Sequence, residues 1–173
     1  REGDVDYLIK YFGEDSVHTI PDYEHNNEKI SSTLIKSFLS EGFVEQANQA
    51  LGYEYSISGT VIKGDQRGSK IGFPTANLNI DKNIQIPKNG VYKVDVLLNG
   101  NLYQGIMNIG YKPTVSEGIK QSLEVHIFDF NDDVYGADLT VQFKKFIRDE
   151  IKFSSIDELT QQISKDIEDI NKN

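Results

Sequence analysis

The run Gly64-Asp65-Gln66-Arg67-Gly68-Ser69-Lys70-Ile71-Gly72-Phe73-Pro74-Thr75-Ala76-Asn77 joins a glycine-bearing loop with two basic side chains to a stiff segment holding a hydroxyl and a carboxamide. Glycines reach conformations and approach distances that a Cβ forbids. Successive N–H groups in such a turn form a concavity that holds phosphate. Pro74 fixes its own φ and biases Phe73 toward extended backbone. In extended backbone Thr75 and Asn77 project from one face, because side chains alternate. A hydroxyl and a carboxamide beside a phosphate cradle suit Mg²⁺, which keeps several waters and takes further oxygens from phosphates. The chemistry implied is nucleotide binding with a metal. The plain alternative is a surface turn entering a strand. The run is not a Walker A loop, since no Gly-Lys-Ser/Thr closes it.

A second group is Glu124. Leu123, Val125 and Ile127 form one face of an expected strand, which leaves Glu124 and His126 on the other. A carboxylate on a rigid strand accepts a proton from an attacking hydroxyl where substrate geometry permits; the alternative is an ordinary solvent-facing glutamate. His18, His25 and His126 have no metal-ligand spacing and no cysteine to join them. The acidic stretch Asp129 to Asp133 lacks the spacing of a calcium loop and reads as a solvated turn.

The elements that must position these residues emerge from periodicity. Val5, Leu8, Ile9 and Phe12 lie at helical spacing, with Gly13 to end the helix. Val17 to Ile20 is a short extended candidate. Leu34, Ile35, Phe38 and Leu39 form a second helical stripe, and Val44, Ala47 and Leu51 a third that Gly52 caps. From Tyr53 the period becomes two: Tyr55, Ile57, Gly59 and Val61 alternate with polar neighbours. Val91 to Leu98 is a strand, Asn99-Gly100 a two-residue hairpin turn, and Leu102 to Ile109 the return. Leu139, Val141 and Phe143 mark a later strand. Ser155 and Glu158 form a capping box for a last helix with the stripe Ile156, Leu159, Ile163, Ile167 and Ile170. The pattern predicts an antiparallel all-β core, divided near Tyr53 from a helical segment over 1–52.

Composition narrows the function. Hydrophobic residues make up 38% of the chain, enough for a core, and no apolar run approaches the length of a membrane span. The formal net charge of −9 gives no general attraction for nucleic acid or anionic lipid, so neither is an expected partner. An anionic nucleotide must then be met by local cations, and Lys63, Arg67 and Lys70 form the densest basic cluster. The absence of cysteine leaves no disulfide and fits a cytoplasmic protein.

The stretch GDQRGSKIGFPTANL resembles the phosphate loop and Pro-Thr-Ala-Asn signature of riboflavin kinases. Further matching pieces occur in family order: Gly90-Val91-Tyr92, Asn108-Ile109-Gly110 with Pro113-Thr114, Leu123-Glu124-Val125-His126, Asp133-Val134-Tyr135-Gly136, and Arg148 with Phe153. The resemblance covers 53–173. It implies a Greek-key-type β-barrel with a C-terminal helix and the reaction of riboflavin with ATP to give FMN and ADP, with Mg²⁺. Carried over by position, Gly64 and Lys70 contact the ATP phosphates, and Thr75 and Asn77 hold the metal, Thr75 also lying near the nucleotide. Glu124 takes the proton of the riboflavin 5′-hydroxyl. Tyr135 lines the nucleotide side, and Arg148 and Phe153 contact the flavin; read from the residues alone, Tyr135 and Phe153 serve equally as core aromatics and Arg148 as a surface salt-bridge partner.

Residues 1–52 carry a second resemblance. Lys29-Ile30-Ser31-Ser32-Thr33-Leu34-Ile35-Lys36 is similar to the Ile-Ser-Ser-Thr motif late in the adenylyltransferase module of bacterial bifunctional riboflavin kinase/FAD synthetases. The module's His-x-Gly-His motif is missing here, and Lys36 stands where the family usually has Arg. This implies that 1–52 is the end of an α/β nucleotidyltransferase module, truncated and unable to make FAD. The rival expectation is a flavin- or nucleotide-binding module, inactive without the missing half.

Overall fold

The computed structural model describes residues 4–25, 28–64, 68–114 and 118–172. The chain forms two compact units, Arg1–Ser31 and Ser32–Asn173. In the first, helix α1 (Val5–Phe12) starts where Asp4 accepts the Tyr7 N–H at 2.9 Å, and it stops at Gly13, whose φ of 85° no β-carbon residue adopts easily. Two short strands, β1 (Glu24–His25) and β2 (Glu28–Lys29), pair antiparallel. Val17 to Ile20, expected as extended, belongs to no strand. Pro21, next in line, has no N–H to give a ladder, and Ile20 is 91% exposed.

The second unit opens with α2 (Ser32–Glu41) and α3 (Val44–Leu51). Leu39, Val44 and Ala47 are buried, and Gly52 ends α3 in the left-handed conformation. Asn48 ties α3 to the sheet: its amide donates to the Phe143 carbonyl at 2.8 Å and its oxygen accepts the Tyr55 N–H at 2.7 Å.

The sheet has six strands: β3 (Ser56–Ile62), β4 (Ala76–Asn79), β5 (Gly90–Leu98), β6 (Asn101–Thr114), β7 (Gly118–Ile127) and β8 (Asp138–Arg148). They close into an antiparallel barrel in the order β3-β4-β7-β6-β5-β8. Within it, β5, β6 and β7 are sequential neighbours and β8 returns beside β5, which is the Greek-key order. Asn99 (φ 50°) and Gly100 (φ 80°) make the β5–β6 turn, with the two positive φ values that match the twist of a hairpin. The return strand runs past the expected Ile109 to Thr114.

The alternating positions fill the barrel: Ile57, Val61, Val94, Val96, Met107, Ile109, Val125, Val141 and Phe143 are each at most 2% exposed. Burial of one such side chain contributes about 1.5–3 kcal/mol. Tyr92 lies edge-on to Phe143 with ring centroids 5.2 Å apart, and burial pushes its hydroxyl pKa up. The last helix, α4 (Ile156–Lys172), docks outside the barrel. Ile170, 2% exposed, packs with Val91 and Ile106 and with half-buried Phe128 and Ile147, and Lys93 donates to the Ile170 carbonyl at 3.1 Å.

Candidate active site

Strand register gathers the site. Asn77 on β4 stands opposite Glu124 on β7, Glu124 opposite Asn108 on β6, Asn108 opposite Val91 on β5, and Val91 opposite Arg148 on β8. Directly opposed residues of antiparallel strands share a face of the sheet. Glu124 alternates with core residues Leu123 and Val125, so this row runs along the barrel's outer wall. Residues far apart in sequence thereby reach one row of the barrel wall.

Glu124 is held at both oxygens. Oε1 lies 2.7 Å from the Lys112 ammonium and accepts the Ser122 hydroxyl at 3.1 Å. Oε2 accepts the Thr75 hydroxyl at 3.1 Å. The Glu124 side chain keeps 21% of its surface in solvent, so the carboxylate is oriented yet accessible. His126, on the same face, bonds the Pro74 carbonyl through Nδ1 at 2.7 Å and meets Phe73 edge-on, which seats the segment leading into Thr75.

The glycines of the loop serve different ends. A Cβ on Gly64 would lie 2.1 Å from Asn77 Nδ2, so this glycine makes room for the Asn77 carboxamide. One on Gly68 would lie 2.2 Å from the Phe73 carbonyl oxygen. Only Gly72 of the three takes positive φ, 86°. Both expected uses of glycine occur: close approach at Gly64 and Gly68, and backbone conformation at Gly72. Arg67 and its neighbours Asp65 and Gln66 lie outside the described residues, as does the Lys70 side chain; the backbone of Gly68–Ile71 forms a 3-10 turn.

Two cavities meet at Thr75, which lines both. The larger, about 780 Å³, lies between the outer wall (Thr75, Val91, Ile106, Asn108, Glu124) and the first turns of α4 (Ile156, Leu159, Ile163), with Arg148 and Phe153 in its lining. The smaller, about 270 Å³, is bounded by Ser69, Pro74 and the β7–β8 loop, including Tyr135. Tyr135 is 48% exposed and its N–H donates to Asp133 at 2.9 Å, so it is not a core aromatic. Arg148 is both a cavity residue and an ion-pair partner, bonded to Asp166 and lying 6.0 Å from the Phe153 ring centroid. Gly64 and Asn77 are not among the described residues lining either cavity.

Three polar residues of the site escaped sequence reasoning. Ser122 and Lys112 contact Glu124; Ser122 was legible as the next position on its face, whereas Lys112 reaches it only through β6–β7 pairing. Asp166 carried a signal: it falls between Ile163 and Ile170 on the apolar side of α4, where a charge needs a partner.

The fold is a closed antiparallel barrel whose outer wall bears a carboxylate in the larger of two cavities, bonded to the residue that lines both. The family description Flavokinase (riboflavin kinase) matches residues 51–173, and the chain belongs to that family. Among curated relatives, the bifunctional riboflavin kinase/FMN adenylyltransferase of Bacillus subtilis is 43% identical over 93% of this chain, and that of Listeria monocytogenes 41% identical over 97%. The chain spans about half the length of these relatives, 56% and 54% respectively. A solved structure from Streptococcus pneumoniae, described as a macrolide-efflux protein, matches with TM-score 0.88 at 37% identity, over 96% of this chain and 54% of that one.

Proposed function

We propose that this chain transfers the γ-phosphate of ATP to the 5′-hydroxyl of riboflavin, giving FMN and ADP. The observation that carries this is the place of Glu124: it lines the larger cavity, and its Oε2 is bonded to the residue that lines both. The larger cavity, with its apolar walls, Arg148 and Phe153, takes the flavin; the smaller, with Tyr135, lies on the nucleotide side. Glu124 accepts the hydroxyl proton as that oxygen bonds to the γ-phosphorus and the bond to ADP breaks. Lys112, Ser122 and Thr75 hold the carboxylate for this step, and such transfer depends on positioning and charge neutralisation more than on covalent help. Lys70 and the backbone at Gly64 face the ATP phosphates in this reading.

The donor set fits Mg²⁺. Thr75 and Asn77 offer hard oxygens on the face that carries Glu124, and Gly64 leaves the space that the Asn77 carboxamide occupies. Bound there, the ion would neutralise charge on the phosphates. We place the reaction in the cytoplasm and the functional boundary near Tyr53. Residues 1–52 then belong to an adenylyltransferase module, whose His-x-Gly-His motif does not occur in this sequence.

The test is chromatography of the purified chain incubated with riboflavin, ATP and Mg²⁺, with an EDTA control. The expected result is FMN only with Mg²⁺, and no FAD. Ligand binding without FMN would overturn the kinase reading in favour of a binding module.

A further inference from the structure

The larger cavity is closed on one side by a buried charge that the transfer reaction does not use. Asp166 is 3% exposed and sits on α4, where an unpaired carboxylate would be costly. Both of its oxygens accept Arg148 Nε, at 3.0 and 2.9 Å, and Oδ2 also accepts Nη2 at 2.7 Å. Gln162, one turn earlier, donates to Oδ1 at 2.7 Å. Arg148 Nη1 donates to the Asp149 carbonyl at 3.0 Å. Every nitrogen of the guanidinium is thus engaged, and its plane is set beside the Phe153 ring.

An apolar pair of similar volume holds elements together as well as a buried ion pair does. Here α4 already has an apolar anchor at Ile170. What the pair adds is the orientation of a planar, always-charged group at the cavity wall, suited to stacking against a flat ring. We infer that Asp166 is a positioning residue for the flavin: it fixes the plane of Arg148 and holds α4 over the cavity, so that the ring enters a preformed slot. The inference rests on the assignment of this cavity to riboflavin. It predicts selectivity between substrates, because Arg148 and Asp166 line the larger cavity and not the smaller.

Riboflavin binding is measured by quenching of its fluorescence, alongside KM for each substrate and kcat, for Asp166→Asn, Arg148→Lys and Arg148→Ala. Loss of a charge-assisted contact is expected to raise the riboflavin Kd about tenfold in Asp166→Asn. KM for ATP should move by less than about twofold. Arg148→Lys retains the buried charge pair and the fold but lacks the planar fork, so it should show the same selective loss; it decides the matter if Asp166→Asn does not fold. In the Arg148→Ala background, Asp166→Asn should add nothing. Wild-type riboflavin affinity in folded Asp166→Asn or in Arg148→Lys would overturn the inference, as would equal losses for riboflavin and ATP. A wild-type chain that binds no riboflavin would overturn the cavity assignment as well, and the two failures are thereby told apart.

Discussion

Replacing Gly64 with alanine tests the proposed metal side of the site through a single methyl group. The added Cβ would sit 2.1 Å from Asn77 Nδ2, 2.5 Å from Cγ and 2.9 Å from Oδ1. Non-bonded heavy atoms settle at about 3.5–4.0 Å, so the carboxamide must retreat by more than about 1 Å. The obstructing atoms are the end of a side chain and not backbone, so stability should fall by only about 1–3 kcal/mol. Function should suffer more, since a displacement of about 1 Å at a reacting site can cost on the order of a hundredfold in rate. The assay is the initial rate of FMN formation across a Mg²⁺ titration, with thermal melting as the control for folding. Gly64→Ala should need more Mg²⁺ and turn over about a hundredfold more slowly. Asn77→Ala should resemble it, and the double variant should be no worse than either single one, because both act on one group. Wild-type Mg²⁺ dependence in folded Gly64→Ala, or losses that multiply in the double variant, would refute the reasoning.

Three further outcomes rest on particular contacts. Glu124→Gln preserves volume and should fold normally while turnover falls by about 10²–10⁴, read as FMN by chromatography; near wild-type turnover would remove Glu124 from the mechanism. Ile170→Ala opens a void where α4 meets the barrel and should cost about 2–5 kcal/mol in denaturant unfolding; a loss well under about 1 kcal/mol would mean that the helix is anchored elsewhere. Glu158 is held below its ordinary value of 4.5 by hydrogen bonds from the Ser154 backbone and hydroxyl, with a smaller one from the Ser155 backbone. A lowered folded value gives stability that is present above 4.5 and lost as pH falls through the folded value. Glu158→Gln should therefore melt below wild type at neutral pH, and the gap should close in acid; a gap that persists there would refute the assignment.

Local pattern made the strands legible. Leu123, Val125 and Ile127 point into the barrel as their alternation requires, and Asn99-Gly100 turns the expected hairpin because only such residues take two positive φ values cheaply. The capping box was legible: Ser155 accepts the Glu158 N–H at 3.2 Å, and the Glu158 carboxylate takes the N–H of Ser154 at 3.0 Å together with a weaker bond from that of Ser155. Thr75 and Glu124 were legible as candidates from residue type and alternation alone. That the Thr75 hydroxyl would donate to the Glu124 carboxylate was not, since it depends on how β4 pairs with β7 across a long stretch of chain.

The same distinction explains what was missed. Lys112 and Asp166 acquire their meaning only from partners on other elements: β6 slides Lys112 to Glu124, and α4 folds back to bring Asp166 to Arg148. A one-residue slip between β6 and β7 would turn Lys112 to the other face and bring its neighbours into the core in the wrong order. Register is itself specified by the buried alternation of Leu123, Val125, Met107 and Ile109. The barrel core is therefore what sets the geometry of its outer wall: apolar residues facing inward decide which polar residues meet outside. Core substitutions that loosen this register should weaken the site before they unfold the domain.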